Sequence, residues 1–249
     1  MAGLAVLAAG CGEQREAPRS ERVQVGPAVV WAAPVADVRS GMPAVGSCHR
    51  LPRDISGGSD LAVAEVPCTE PHTSVTYAAD VLPEEIAEAP ASWVAERCSA
   101  KLAEATGLSE NALAGTFVEW VWLQPDASLR ERGARWFRCE VRSSRPGPDA
   151  DLPGRGLPVF TDGVPEAWLR CVDTTGAAPA YVGCDQPHQF RWTGSIPVAD
   201  GPHPTPEEWE ELAAAECRDL VGPEAFWFTY PNRVQWRDGD HRLSCYGKA

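Results

Sequence analysis

The chain has 249 residues, which exceeds a typical domain of roughly 100–200 residues, so its length predicts two domains. Hydrophobic residues make up 44% of the chain and ten residues are tryptophan, which is enough for packed cores and too much for a disordered protein. The formal net charge of −13, without any run of basic residues, argues against a nucleic-acid or anionic-lipid surface, because phosphate contacts need clustered Lys and Arg side chains.

The N-terminus is a short apolar segment that ends in Ala8-Ala9-Gly10-Cys11. A membrane span takes about 20 residues, so this segment is too short to cross a bilayer. It resembles the end of a bacterial lipoprotein signal peptide over residues 1–11, and the resemblance implies that Cys11 carries the lipid. The chain is polar and charged after Cys11, which predicts a tether over residues 12–44. Because the usual basic region before the apolar part is missing, we expect the true translation start to lie upstream. The other interpretation is an ordinary alanine-rich N-terminus.

Eight cysteines follow Cys11, and they divide evenly along the chain. The first set is Cys48, Cys68, Cys98 and Cys139, and the second set is Cys171, Cys184, Cys217 and Cys245. An even number in each set is typical of disulfides in an oxidising compartment. The sequence has no Cys-x-x-Cys pair, so it predicts neither thiol redox chemistry nor haem attachment.

The two cysteine sets lie in two similar stretches of sequence. A Cys-x-x-Pro-His element occurs at residues 68–72 and again at residues 184–188, and a glycine and a proline recur at matching distances before the last cysteine of each set. This repetition predicts a duplicated unit, with domains at 45–142 and 157–249. The stretch between them, residues 143–156, is rich in Pro, Gly and Ser and is predicted to be a linker.

Each unit has the pattern of one helix and several strands. Apolar residues recur at helical spacing over residues 91–106 and 206–221, and Gly107 and Gly222 stop both patterns. Alternating aromatic segments after each helix are typical of strands. We therefore predict an α+β fold of two tandem disulfide-stapled domains, each a small antiparallel sheet with one main helix. The apolar residues 157–165 are expected to pack on the second unit.

The spacing of the first two cysteines in each set favours a hairpin. The midpoint of Cys48 and Cys68 is Gly58, and the midpoint of Cys171 and Cys184 also falls in a turn-like stretch. Residues that face each other across a hairpin have Cα separations of about 4.5–5.5 Å, which a disulfide accepts. The favoured pairing is therefore Cys48–Cys68, Cys98–Cys139, Cys171–Cys184 and Cys217–Cys245. The two other connectivities within each set stay open.

The Cys-x-x-Pro-His elements are the candidate functional or structural motif, with Pro71, His72, Pro187 and His188 at their ends. A zinc site needs three or four protein ligands, and the cysteines are better used in bridges, so no metal or cofactor is predicted. Each imidazole is expected to bond a backbone carbonyl beside its disulfide. No catalytic residue is predicted: there is no Gly-x-Ser-x-Gly motif, and no motif places a base near Ser47.

Taken together, several elements resemble the septum formation domain of actinobacterial membrane proteins and lipoproteins. In the first unit they are Gly46-Ser47-Cys48, the segment 67–72, Cys98, Pro125 and the segment 133–139. The second unit fits more loosely at Arg170-Cys171 and better at residues 236–245, and the first unit has Arg130 where the second has Trp236. The resemblance implies an extracytoplasmic location and a connection with cell division or the envelope, and it implies no reaction.

The predicted function is that of a non-enzymatic lipoprotein with a binding or organising role at the outer face of the cell membrane. Its expected partners are the lipid bilayer, through the acyl chains of Cys11, and an unidentified envelope or division protein. Two alternatives stay open: a peptidoglycan-related hydrolase that uses His72 or His188 with Glu70 or Asp185, and a small-ligand or metal sensor built on the same elements. The strand tryptophans are expected in the cores, with an exposed binding face as the alternative.

Overall fold

The computed structural model describes residues 37–55, 57–58, 63–86, 89–146, 151–222, 224–237 and 239–249. The predicted signal segment 1–11, the lipidation at Cys11 and most of the predicted tether lie outside these residues. All the described residues belong to one compact unit. Within them, no helix has the length and apolar character needed to cross a membrane.

The first sheet has five antiparallel strands. They are β1 (Cys48–His49), β2 (Glu65–Val66), β3 (Ser74–Val81), β4 (Val118–Leu123) and β5 (Trp136–Ser143), in the spatial order β2-β1-β3-β5-β4. The main helix is α1 (Ala91–Thr106), and two short helices follow, α2 (Glu110–Ala114) and α3 (Ala127–Glu131). The helix α1 ends where Gly107 takes a φ of 75°, a left-handed conformation that glycine adopts without strain. It buries Val94, Cys98 and Leu102.

The second sheet repeats this plan. Its strands are β6 (Arg170–Asp173), β7 (Ala180–Gly183), β8 (Phe190–Pro197), β9 (Phe226–Thr229) and β10 (Arg242–Lys248), in the order β7-β6-β8-β10-β9. The helices are α4 (Pro206–Val221) and the short α5 (Arg233–Arg237). A capping box starts α4: the Thr205 hydroxyl accepts from the Glu208 N–H, and the Glu208 carboxylate accepts from the Thr205 N–H. The predicted α+β fold is confirmed.

The two sheets share even an irregularity of register. In the first sheet Cys139 faces Ala78, but the next residue of β5 faces Thr76, so Tyr77 is left out of the pairing. In the second sheet Cys245 faces Gly194, but the next residue of β10 faces Trp192, so Thr193 is left out. A bulge of this kind bends a strand locally. Its recurrence beside the last cysteine of each set shows that the halves are alike in detail.

Four disulfides connect these elements. The bonded pairs are Cys48–Cys68, Cys98–Cys139, Cys171–Cys184 and Cys217–Cys245. These are the pairs of the favoured connectivity. Two of them join the main helix of a half to its sheet. Cys98 on α1 is bonded to β5, and Cys217 on α4 is bonded to β10.

The predicted register of both hairpins was wrong by two residues. Cys48 faces Val66, and Cys171 faces Val182, not the cysteine with which each is bonded. The reason is that β2 ends before Cys68 and β7 ends before Cys184. The turn after each strand brings the sulfur of that cysteine back to its bonded partner, Cys48 in β1 or Cys171 in β6. The Cα separations are still 5.3 Å and 5.1 Å.

The apolar residues 157–165 pack against the first sheet, not the second as expected. Val159 and Phe160 are buried in the same core as α1. Their N–H groups donate to the carbonyls of Ala105 (3.0 Å) and Thr106 (3.1 Å) in the last turn of that helix. The last carbonyls of a helix have no partner within it, so this segment satisfies groups that would otherwise be buried without one.

The two halves are also joined through their backbones. The Phe117 N–H donates to the Trp168 carbonyl, and the Arg170 N–H donates to the Gly115 carbonyl. The Trp192 ring covers Gly115 so closely that a Cβ there would lie 2.2 Å from it, so only glycine fits. This contact places β6 and β8 beside the end of α2.

The domain boundaries predicted from the sequence, 45–142 and 157–249, stay a prediction.

Candidate functional site

Each Cys-x-x-Pro-His element forms a turn directly after the second strand of its sheet. In the first half the Glu70 N–H donates to the Pro67 carbonyl over 2.8 Å. In the second half the Gln186 N–H donates to the Gly183 carbonyl over 2.9 Å. The two turns therefore have the same hydrogen bond at matching positions.

The histidines close these turns. The Nδ1 atom of His72 lies 2.9 Å from the Glu70 carbonyl oxygen, and that of His188 lies 2.7 Å from the Gln186 carbonyl oxygen. A carbonyl oxygen only accepts, so Nδ1 carries the proton in both rings. The side chains of Glu70 and Asp185 are exposed, and among the described residues neither carboxylate bonds an imidazole. The acid that the hydrolase alternative needs therefore does not orient either ring.

His188 also lies near the disulfide of its half. Its ring nitrogen and the sulfurs of Cys171 and Cys184 lie within 4.8 Å of one another. Both sulfurs are in a disulfide, and the thiolate is the form of cysteine that binds metal. Without them one imidazole remains, fewer than the three or four ligands that zinc takes. In the oxidised protein these residues do not fit a metal ion.

A buried polar cluster lies on the side of the first sheet away from α1. It consists of Ser47, His49, Thr76, Arg138 and Glu140, none more than 5% exposed. Side chains alternate along a strand, so Arg138 and Glu140 face away from the helix to which Cys139 is bonded. Leu51, Val121 and Leu123 form a small apolar core on this side of the sheet.

No sequence motif places a base near Ser47, but the fold brings the imidazole of His49 close to it. The His49 Nε2 atom is 3.0 Å from the Ser47 hydroxyl oxygen. However, the Glu140 carboxylate approaches the same nitrogen, at 3.8 Å, while Nδ1 lies 3.3 Å from the Ala64 carbonyl. In a Ser-His-acid triad the serine and the acid bond different nitrogens of the imidazole. Here Ser47 and Glu140 both approach Nε2, so this cluster is not such a triad. The groups are also buried, which keeps a substrate away from them.

Burial controls the electrostatics of this cluster. Burial and the nearby Arg138 guanidinium lower the pKa of His49 to about 4. Burial raises the pKa of Glu140, against the opposing effect of Arg138. The Arg138 Nη1 atom lies 3.4 Å from Glu140 Oε1, and the Thr76 hydroxyl donates to the same oxygen. At neutral pH His49 is therefore uncharged beside a buried Arg–Glu pair.

The lowered pKa of His49 predicts a loss of stability in acid. Between pH 6.5 and about 4 the unfolded chain takes up a proton at this ring and the folded chain does not, so the free energy of unfolding falls as the pH falls. In urea unfolding at pH 7, 5.5 and 4, the difference between wild type and His49→Gln should shrink by up to about 3 kcal/mol. Glu140 titrates in both proteins with the opposite sign, so the difference isolates His49. Parallel pH profiles would contradict the assignment.

A cleft of about 500 Å³ lies between the two halves. The first half contributes residues of α1, α2 and β4, and the second contributes residues of β6, α5 and β10. Its charged lining residues are Glu110, Glu119, Arg170, Asp240 and Arg242. Its apolar lining residues are Leu102, Ala103, Leu108, Leu113, Ala114, Val118 and Trp120. Small-molecule sites have volumes of roughly 300–1,000 Å³, so the cleft has the size of a ligand site.

The fold and its bridges define a class of protein. Two antiparallel sheets, each stapled to its main helix by a disulfide, are typical of proteins outside the cytoplasm. The family model described as Septum formation matches residues 45–245, which include both sheets apart from the last three residues of β10. The chain therefore belongs to the Septum formation family, as the motifs predicted. No curated protein and no solved structure matches it.

Proposed function

We propose that this chain is a non-enzymatic binding protein of the cell envelope that acts in septum formation. The observation that carries the proposal is the family match over residues 45–245. The four disulfides support an extracytoplasmic site of action, because such bonds persist in oxidising compartments. The net charge of −13 supports protein or small-molecule partners over nucleic acid.

The proposal includes an anchor and a duplication. Acyl chains on Cys11 hold the protein at the outer face of the membrane, and the tether runs from residue 12 to the start of the folded part. That part already includes Val38 and Ser40, whose carbonyls accept from Arg135 and Trp136. The shared strand order and the shared bulge support two tandem copies of one ancestral unit. In this arrangement the proline–histidine turns brace each copy, and partners bind the faces that the sheets and helices present.

The partner is proposed to be another envelope or division protein. Crosslinking in living cells, followed by affinity capture from the membrane fraction, should recover one defined partner with the wild-type chain. The matched control is Cys11→Ser, which keeps the folded domains but should leave the membrane fraction and capture much less of that partner. Retention of Cys11→Ser in the membrane would contradict the lipid anchor. Release of soluble peptidoglycan fragments by wild type but not by His72→Ala with His188→Ala would contradict the non-enzymatic assignment.

A further inference from the structure

Arg170 is a half-buried cation that lacks a counter-ion among the described residues. The residue lines the cleft between the two halves, and its Nε atom is buried with no hydrogen-bond partner. Within the part of the chain that the structure describes, no carboxylate forms an ion pair with it. The guanidinium carbon lies 5.7 Å from the Phe117 ring centroid and 5.8 Å from that of Tyr181. Such ring contacts hold a guanidinium in place but satisfy none of its N–H donors.

The other charges at the cleft have partners. Arg242 donates through Nε to Asp240 over 2.8 Å, and it lies 3.9 Å from Glu110. Glu119 accepts from Arg142 over 2.8 Å. Among the charged lining residues, Arg170 is therefore the one for which the described residues supply no oppositely charged partner. An oxyanion is the natural partner, since a guanidinium binds a carboxylate through two parallel hydrogen bonds.

The other lining residues limit the kind of molecule that can carry this oxyanion into the cleft. Leu102, Leu113 and Trp120 give the cleft an apolar side that suits an aliphatic body. Ser99, Gln235 and Ser244 add groups that donate and accept hydrogen bonds, as the amides of a peptide require. The three carboxylates on the lining repel a dianion such as phosphate more than a monoanion.

We propose that this cleft binds the C-terminal carboxylate of a short apolar peptide, with the carboxylate on Arg170 and the side chains against Leu113 and Trp120. The site goes beyond the proposed envelope role, because a peptide in the cleft does not require the envelope partner. A binding experiment on the purified chain therefore tests it separately from the capture experiment.

The test is isothermal titration calorimetry with the oxidised full chain in detergent. The probe is the tripeptide acetyl-Leu-Ala-Ala with a free carboxylate, and its matched control is the same peptide with a C-terminal amide. The acid should bind at least about tenfold more tightly, because the amide cannot accept two charge-assisted bonds from Arg170. Equal affinity of acid and amide, or no measurable heat with either, would overturn the proposal. Octanoate or inorganic phosphate that bound as tightly as the acid would also overturn it.

Three variants locate the site. Arg170→Gln removes the cation and should weaken binding of the acid at least about tenfold, to the level of the amide. Ala103→Trp, at an exposed position of α1 that lines the cleft, should block binding by filling the space while Arg170 stays. Arg191→Gln breaks the exposed pair with Glu166, outside the cleft lining, and should bind as wild type. Unchanged affinity in Ala103→Trp would overturn the assignment, even if Arg170→Gln failed to fold.

Discussion

Replacing Glu140 with alanine should lower the free energy of unfolding by about 3–5 kcal/mol. The substitution removes the only carboxylate beside the Arg138 guanidinium among the described residues, and that guanidinium is 2% exposed. A buried charge that loses its partner keeps its desolvation cost without the attraction that offset it. Chemical denaturation with the disulfides intact measures the loss.

Two controls distinguish a buried pair from an ordinary salt bridge. The double variant Arg138→Met with Glu140→Leu should recover most of the stability, because apolar side chains of similar volume commonly replace a buried ion pair without loss. Glu119→Ala breaks the partly exposed pair with Arg142 and should cost less than about 1 kcal/mol. A Glu140→Ala variant no less stable than Glu119→Ala would mean that Arg138 is not held by this pair.

The covalent framework was the most predictable part of the fold. Even numbers of cysteines at matching positions, with helical periodicity around Cys98 and Cys217, were enough to predict one helix stapled to one sheet in each half. The Gly107 and Gly222 signals marked the ends of the helices, and α1 and α4 end one residue before them. These features depend on residues that are close together in the sequence, so a single sequence is enough to predict them.

The hairpin registers were less predictable because they depend on where a strand ends. A bond between Cys48 and Cys68 is compatible with direct opposition and also with a turn that folds one cysteine back. Only the backbone hydrogen bonds distinguish the two cases, and they follow the pairing of Cys48 with Val66. Spacing therefore predicted the partners but not the register.

The buried polar cluster and the cleft both depend on contacts between segments that are distant in sequence. Their residues therefore have no local sequence pattern that predicts them. Arg138 and Glu140 flank a buried cysteine on β5, a pattern that a strand with one solvent-exposed face would also show. Arg170 was noted only as a weak match to a family motif. Nothing near it in sequence shows that residues of α1 and β10 form the other walls of its cleft. The packing of Val159 and Phe160 on α1 was missed for the same reason, since apolar character does not say which surface a segment covers.

Removing the bridge between α1 and β5 should have the second large effect. The double variant Cys98→Ala with Cys139→Ala opens a loop with a sequence separation of 41 residues. The chain-entropy model assigns about 4 kcal/mol to a bridge of this loop length. The matched variant Cys217→Ala with Cys245→Ala, separation 28, should cost slightly less, and Cys171→Ala with Cys184→Ala, separation 13, should cost about 3 kcal/mol. Guanidinium unfolding without reductant gives the three values.

The order of these costs tests what the bridges do. If the bridge at Cys171 were the most costly to remove, local packing and not loop entropy would dominate. The bridge at Cys98 has a further consequence, because the next residue, Ser99, and Leu102 lie on the wall of the cleft. A helix no longer bonded to the sheet holds that wall less firmly, so the Cys98 variant should also bind the tripeptide acid more weakly. The Cys171 and Cys217 variants are not equivalent controls, since Arg170 adjoins Cys171 and Ser244 adjoins Cys245 on the lining. The double variant Cys48→Ala with Cys68→Ala is the control, because neither cysteine and none of their chain neighbours line the cleft.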